Sequence, residues 1–263
     1  MLSKIGRLAV RWSRPLLGTI KTVTVSREAD GWYVCISCAL VPPSPQPVPP
    51  TGKEAGIDVG LKVFLITAAG ETVENPRHYR RAEKRLAKAQ KRLSHRQKGS
   101  KRREKARKLL ANHHQHVKRH WRDYHHKTAL ALVRAYDTIY REDLQVAHLV
   151  WNHRLSKSIT DVGWGQFRTT PEYKAACAGT HAVAVPPQYT SQDCSRGGTR
   201  VAKSLSVRTH ACPSCGLALD RDVNAARNML RAGRARESSG GPTCRAELRI
   251  PAARHGECQN PSV

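Results

Sequence analysis

The sequence predicts an α/β fold. Three observations carry this. Stretches within residues 5–40 alternate apolar and polar with period two, as half-buried strands do. Residues 77–122 place apolar side chains at helical spacing inside a dense basic block. Beyond it, short apolar runs at 138–144 and 182–185 are separated by helical stretches, the order of strands alternating with helices.

Taken in order, 8–12, 19–26 and 31–38 read as an antiparallel meander, with Ala29-Asp30-Gly31 as a turn. A sheet that small needs a partner over one face. Cys35 and Cys38 have C-x-x-C spacing. On a strand that spacing sends the two side chains to opposite faces, so they read as packing residues. Prolines crowd 41–50 and make 41–53 a stiff, extended linker. Residues 55–67 read as one apolar strand containing Gly56-Ile57-Asp58-Val59-Gly60-Leu61. A turn at Ala69-Gly70 leads to a short strand near 72–73, giving a hairpin with Asp58 central in its first arm. A carboxylate inside an apolar strand is costly unless something pairs with it. The flanking glycines leave room for a backbone or phosphate to come close. Asp58 is thus either a metal ligand or a residue of a strand-end turn.

Residues 77–122 hold 19 Lys/Arg against two acids, Glu83 and Glu104. Leu86, Ala89 and Leu93 recur at helical spacing, as do Leu109, Leu110 and Val117. Gly99-Ser100 between them predicts two antiparallel helices, the second running on to Ala135. Charges of one sign at i,i+4 repel unless an anion screens them. This block is therefore the expected nucleic-acid surface, with Arg80, Arg81, Lys84, Arg85, Lys88, Lys91, Arg92, Lys101, Arg102, Arg103, Lys105 and Arg107 as the contact residues. His113, His114, His116, His120, His125 and His126 add titratable charge. No acid or cysteine accompanies them, so they do not read as a metal site.

Thr138 to Leu144 is strand-like and ends in Glu142 and Asp143, which fall on opposite faces. Loop and helix follow over 145–165. Trp164 and Phe167 read as core anchors, with base stacking as the alternative. A helix near 167–178 leads to a buried strand at 182–185, closed by Pro186-Pro187. From Val223 a further helix puts Ala226, Met229 and Leu230 on one face. Asp222 at its start is either an N-cap or a metal ligand held in direction by the helix. No periodicity survives in 233–263, which is expected to be a disordered tail.

Composition narrows the function. With 46 Lys+Arg against 20 Asp+Glu, the net charge is +26, which points to a polyanionic partner, nucleic acid first. An acidic membrane surface fits less well, because the basic residues share no long helix with a Trp/Phe/Leu face. No apolar run approaches the ~18 residues of a membrane span, and no signal-peptide core opens the chain. A cytoplasmic, nucleoid-associated location is expected, and the eight cysteines are then thiols or metal ligands rather than disulfides. Cys194 and the pair Cys212-Pro213-Ser214-Cys215 form two knuckles of a zinc-ribbon layout. The first knuckle has Gly197 where its second cysteine belongs. Three thiolates leave zinc one ligand short, so the site is expected to be incomplete. His210 or an outside cysteine such as Cys177 are the residues that would fill it.

Asp58, Glu142 and Asp222 each stand at the boundary of an apolar strand or helix. Hard oxygen ligands of this kind suit Mg²⁺ or Mn²⁺. Two such ions ~4 Å apart serve phosphodiester cleavage.

Together Gly-Ile-Asp58-Val-Gly-Leu, the basic hairpin of 83–107, Glu142-Asp143-Leu144, Ser158-Ile-Thr-Asp-Val-Gly-Trp164-Gly, Tyr189-Thr-Ser-Gln, Cys212-Pro-Ser-Cys215-Gly and Asp220-Arg-Asp222-Val-Asn-Ala-Ala strongly resemble TnpB, the OrfB-type protein of bacterial insertion sequences and a relative of type V CRISPR effectors. The resemblance runs from about residue 5 to 232. It implies an RNase H-like (RuvC) nuclease domain over 54–188, a zinc-ribbon-like insertion over 189–217, a last RuvC helix over 218–232, and a partial β segment of wedge type over 1–40. It also implies a guide RNA from the transposon end, cleavage of matching DNA, Asp58, Glu142 and Asp222 as catalytic metal ligands, and Cys194, Cys212 and Cys215 as zinc ligands. Members of that family carry a substantial segment before the point where this chain starts. A non-catalytic, truncated nucleic-acid-binding remnant or regulator is the alternative reading.

Overall fold

A computed structural model describes residues 9–13, 15–39, 48–204 and 206–239. Its first unit is a two-stranded antiparallel hairpin, β1 (Thr19–Arg27) and β2 (Trp32–Ala39). The third strand expected at 8–12 does not form: residues 9–12 are irregular, and residue 8 lies outside the described residues. The hairpin is tied to the rest of the fold by charge. Arg119 bridges Glu28 and Asp30 at 2.9 and 2.7 Å and covers the Tyr33 ring. Gln115 donates to the same two carboxylates. The hydrogen bond from Arg119 holds the Asp30 carboxyl well below the usual carboxylate range.

The main body is a five-stranded mixed sheet ordered β5-β4-β3-β6-β7. Its strands are β3 (Glu54–Val59), β4 (Val63–Thr67), β5 (Thr72–Glu74), β6 (Thr138–Glu142) and β7 (His181–Val185). β3, β6 and β7 run parallel, while β4 and β5 add an antiparallel edge. The run 55–67, expected as a single strand, is folded in two. Gly60 sits at the bend, its N–H bonded to the Phe64 carbonyl, and any Cβ there would lie 2.8 Å from the Val63 carbonyl oxygen. A tight hairpin thus buries an apolar run too long for one strand.

Helices cover both faces. α1 (His78–Ser94) and α2 (Lys101–Ala135) form an antiparallel hairpin, and Ser100 caps α2 by accepting from the Arg103 N–H. The C-terminal half of α2 packs with α5 (Trp164–Ala178) on one face of the sheet, and the short helices α3 (Val146–Val150) and α4 (Ser156–Val162) connect β6 to α5. The core there is Ile57, Phe64, Ala129, Leu132, Val133, Ile139 and Phe167. Trp164 and Phe167 are buried in it, and the Phe167 ring meets Phe64 edge-on, so both are core anchors. His125 also belongs to this core. It stacks on Phe64, and burial pushes its pKa down to about 4.

The opposite face carries α6 (Arg221–Ser238). Strand alternation puts Gly56 and Tyr140 on this face. A Cβ on Gly56 would fall inside the Ala226 carbonyl oxygen and 2.7 Å from the Leu230 nitrogen; one on Gly233 would fall inside the Tyr140 ring. Two glycines, one on the sheet and one on the helix, therefore let the two backbones approach. α6 continues beyond the boundary expected at 232 because Gly233 is a packing position in mid-helix. Residues 240–263 of the expected tail lie outside the described residues, as do 41–47 of the expected linker. No described helix is long and apolar enough to cross a membrane.

Gly56→Ala is expected to destabilise the protein by about 1–3 kcal/mol or more, the usual cost of overpacking. Gly165→Ala, where a Cβ meets open space, serves as the control. Urea unfolding of the two variants checks this; equal midpoints would contradict the close approach.

Candidate metal centre

The register of the parallel strands sets the first two acids side by side. Ile57 pairs with Arg141, and one step further along both strands come Asp58 and Glu142. In parallel strands, partners at the same register share a face. Both acids stand at the carboxyl ends of their strands, where ligands bind in sheets of this type.

The third acid arrives on α6. Ala226 sits over Gly56. Four residues back along the helix is ~6 Å, and two residues forward along the strand is ~6.6 Å. These steps lead to Asp222 and Asp58 respectively. Burial, followed by the charges of Glu142 and Asp222, drives the Asp58 pKa well above its ordinary value, with Arg221 opposing. Glu142 is also raised, by burial, against a hydrogen bond from the Thr190 hydroxyl at 3.2 Å. Asp222 is not the N-cap of its helix. Asp220 fills that role, accepting from the Asp222 and Val223 N–H groups at 2.8 and 3.3 Å, which leaves the Asp222 carboxylate for other partners. Those partners are Arg208 at 3.5 Å and Arg221 at 3.3 Å.

Three carboxylates meet here, one of them strongly disfavoured as an anion, and this donor set suits a hard divalent cation. The cluster is open. Among the described residues, the group whose ligand atoms all lie within 4.8 Å of one another is instead Cys194, His210 and Cys212.

Several residues that build this site have no conspicuous sequence signal. Asn224 and Asn228 are buried one turn apart on α6. Both donate to the Asp193 carbonyl, at 2.8 and 2.6 Å, and Asn228 also donates to that of Thr190 at 2.8 Å. Asn224 Oδ1 accepts from the Ser195 N–H. The two asparagines clamp the 190–195 loop to α6, which places Thr190 on Glu142. Polar residues at i,i+4 on an otherwise apolar face were the available signal.

The cysteine module follows that loop. β8 (Thr209–Ala211) and β9 (Ala218–Asp220) form a small antiparallel hairpin beside it. Cys194 and Cys212 are buried, and the sulfurs of Cys194 and Cys215 lie 3.5 Å apart. Burial pushes the Cys194 thiol up. The backbone N–H groups of Gly197 and Arg196, then His210 and Cys215, outweigh it and bring the pKa down to about 6, suited to a thiolate ligand. Cys177 is exposed on α5, outside the cluster.

The basic side chains divide. Arg103 is taken up by the fold, donating to the carbonyls of Leu93 and Arg96 at the end of α1. Arg80 donates to Ser158 at 2.7 Å and lies 3.9 Å from the Asp161 carboxylate. Arg81, Lys84, Arg85, Lys88, Lys91, Arg92, Lys101, Arg102, Lys105 and Arg107 are exposed along α1 and the start of α2.

Comparison with known proteins places this architecture among relatives. Residues 18–152 match the OrfB_IS605 family, described as "Probable transposase", and residues 164–229 match the Cas12f1-like TNB domain. The chain is 40% identical over 238 residues to a Streptomyces pristinaespiralis protein named "Putative RNA-guided DNA endonuclease", covering 89% of this chain and 58% of that one. It is 32% identical over 250 residues to "Putative RNA-guided DNA endonuclease InsQ" of Escherichia coli (strain K12), covering 89% of this chain and 62% of the relative. The chain thus spans about three fifths of the length of these relatives. A cryo-EM structure of a CRISPR-Cas12f ternary complex shares the fold, with a TM-score of 0.53 at 20% identity, covering 79% of this chain and 44% of that one.

The raised Asp58 pKa has a testable sign. The folded chain keeps a proton on Asp58 at pH values where the unfolded chain has lost it. Its contribution to metal-free stability is full below about pH 3.8 and is lost as pH rises through the raised folded value. Asp58→Asn is therefore expected to stabilise the metal-free protein at pH 7, and added Mn²⁺ to raise the Tm of wild type but not of the variant. Thermal melts with and without Mn²⁺ check this; a destabilised variant would mark Asp58 as a structural carboxylate instead.

Proposed function

The chain belongs to the OrfB_IS605 family, and from that membership we propose that it is a transposon-encoded, RNA-guided DNA endonuclease of the TnpB type. The carrying observation is the convergence of Asp58, Glu142 and Asp222 at the carboxyl ends of β3 and β6 beneath the start of α6. In this reading the sheet with its helices is an RNase H-like (RuvC) domain, and the three acids are its catalytic metal ligands. Bound Mg²⁺ or Mn²⁺ would supply an activated water and stabilisation of the leaving oxygen in phosphodiester cleavage.

The chain's own residues prepare that chemistry. Asp58 and Glu142 are held side by side by strand register, so neither needs to reorganise. Their mutual repulsion and burial favour a cation between them. Thr190 fixes one oxygen of Glu142 and leaves the other for a ligand. Arg208 and Arg221 set positive charge beside Asp222, where a scissile phosphate would approach. The exposed basic residues of α1 and α2 supply sequence-independent grip on a nucleic-acid backbone, here a guide RNA from the transposon end or its DNA target. Cys194, Cys212 and Cys215 form the thiolate part of a zinc-ribbon-like module. Through the 190–195 loop that module is joined to the same helix that presents Asp222.

The purified chain with Mg²⁺ and its transposon-end RNA is expected to cut DNA matching the guide. Alanine at Asp58, Glu142 or Asp222 is expected to lower the rate by about 10³-fold or more, the scale of losing a principal electrostatic group. RNA binding that is tight and salt-sensitive, with no cutting by wild type, would favour the non-catalytic reading.

Replacing Arg81, Lys84, Arg85 and Lys88 by glutamine tests the basic surface separately. Binding should weaken across all sequences, and the slope of log K against log salt should fall by about 0.7–0.9 for each phosphate no longer neutralised. An unchanged slope would place the nucleic acid elsewhere.

A further inference from the structure

We infer that His210 is the fourth ligand of a Cys₃His zinc site with Cys194, Cys212 and Cys215, taking the coordination position that Gly197 cannot fill. The inference rests on the zinc-ribbon-like reading of this module and names the ligand that completes it.

The two cysteine turns have the same backbone. In the second, the Gly216 N–H bonds to the Cys212 carbonyl at 3.0 Å, and Gly216 has φ +69°. In the first, the Gly198 N–H bonds to the Cys194 carbonyl at 2.8 Å, and Gly198 has φ +73°. Gly197 therefore stands at the position that Cys215 holds in its own turn. A Cβ built on Gly197 would lie 3.8 Å from Cys215 Cβ and 3.9 Å from its sulfur, at ordinary contact distance. The turn is formed in full, and what it lacks is a side chain.

His210 supplies the missing donor from another direction. It is the inward residue of β8, wholly buried between exposed Thr209 and Ala211. It lies two residues before Cys212, on the same side of the strand. A ring nitrogen of His210 and the sulfurs of Cys194 and Cys212 all lie within 4.8 Å of one another, and Cys215 joins through its 3.5 Å contact with Cys194. Tetrahedral zinc with Zn–S near 2.3 Å and Zn–N near 2.0 Å spaces its ligand atoms by about 3.5–3.8 Å. The 3.5 Å between the Cys194 and Cys215 sulfurs matches that span.

The polar contacts of this ring leave it open to a metal. His210 Nε2 is buried and no hydrogen bond of full geometry satisfies it, while the ring interacts with the Cys194 sulfur; a metal between them would satisfy both. Nδ1 accepts from the Lys203 ammonium. One cation thus already sits at the edge of the cluster. Zinc needs only to displace that ammonium from Nδ1, or a proton from Nε2.

The test is zinc content and Co²⁺ spectroscopy on the full chain, neither of which depends on DNA cleavage. Wild type should carry one zinc, and its Co²⁺ form should show the d–d bands of a tetrahedral S₃N site. His210→Ala should weaken zinc binding by more than about 100-fold in chelator competition, above the 10–100-fold typical of outer-shell partners. Cys177→Ala should change nothing. The double variant His210→Ala, Gly197→Cys should regain zinc with an S₄ spectrum, which separates a lost ligand from a misfolded module. Equal zinc affinity in wild type and His210→Ala, or no zinc in wild type, would overturn the inference. Zinc bound as described without cleavage would count against the endonuclease reading alone, and cleavage without zinc here would count against this inference alone.

Discussion

The close approach of α6 to β3 at Gly56 is the constraint on which the rest of the structure depends. No side chain larger than hydrogen fits between that position and the Ala226 carbonyl. Gly233 against Tyr140 makes the matching contact further along the helix. Between them they fix both the height and the direction of α6 on the sheet. Asp222 is thereby delivered to Asp58 and Glu142 by backbone packing rather than by a flexible loop. The same helix holds the 190–195 loop through Asn224 and Asn228, so the acid cluster and the cysteine module share one support.

That arrangement concentrates negative charge on a strongly basic chain. Asp222 has paired cations, Arg208 and Arg221. Asp58 has burial and two like charges against it, opposed by Arg221. An ion pair elsewhere in the fold, such as that of Arg119 with Asp30, satisfies its carboxylate fully and lowers its pKa. The contrast between Asp30 and Asp58 separates a carboxylate built for structure from one left in need of a cation.

Much of this was legible in the sequence, for physical reasons. Asp58 stood out because a carboxylate within an apolar run is costly, Glu142 and Asp222 by their places at a strand end and a helix start, and the α/β class followed from hydrophobic period. Strand ends were less legible. In the run 55–67 the break is marked only by Gly60 and Lys62 inside an otherwise apolar stretch, so its hairpin shows plainly only in three dimensions. Residues 9–12 looked strand-like yet have no neighbour to pair with among the described residues. Gly56 and Gly60 suggested room for a backbone or phosphate, and in the structure the occupants are the backbones of α6 and of the hairpin itself. The Asn224 and Asn228 clamp showed in sequence only as two polar residues at i,i+4 on an apolar face, because its acceptors are carbonyls of a loop more than 30 residues earlier. Asp222 stood open between cap and ligand until the structure gave the cap to Asp220.

The most direct measurement is anomalous scattering from crystals of the protein soaked in Mn²⁺. The expected result is one or two manganese peaks enclosed by the carboxylates of Asp58, Glu142 and Asp222, with α6 seated on Gly56. Manganese bound only away from these three side chains, or an α6 whose Asp222 stands clear of the strands, would contradict the assignment of this cluster as the metal centre.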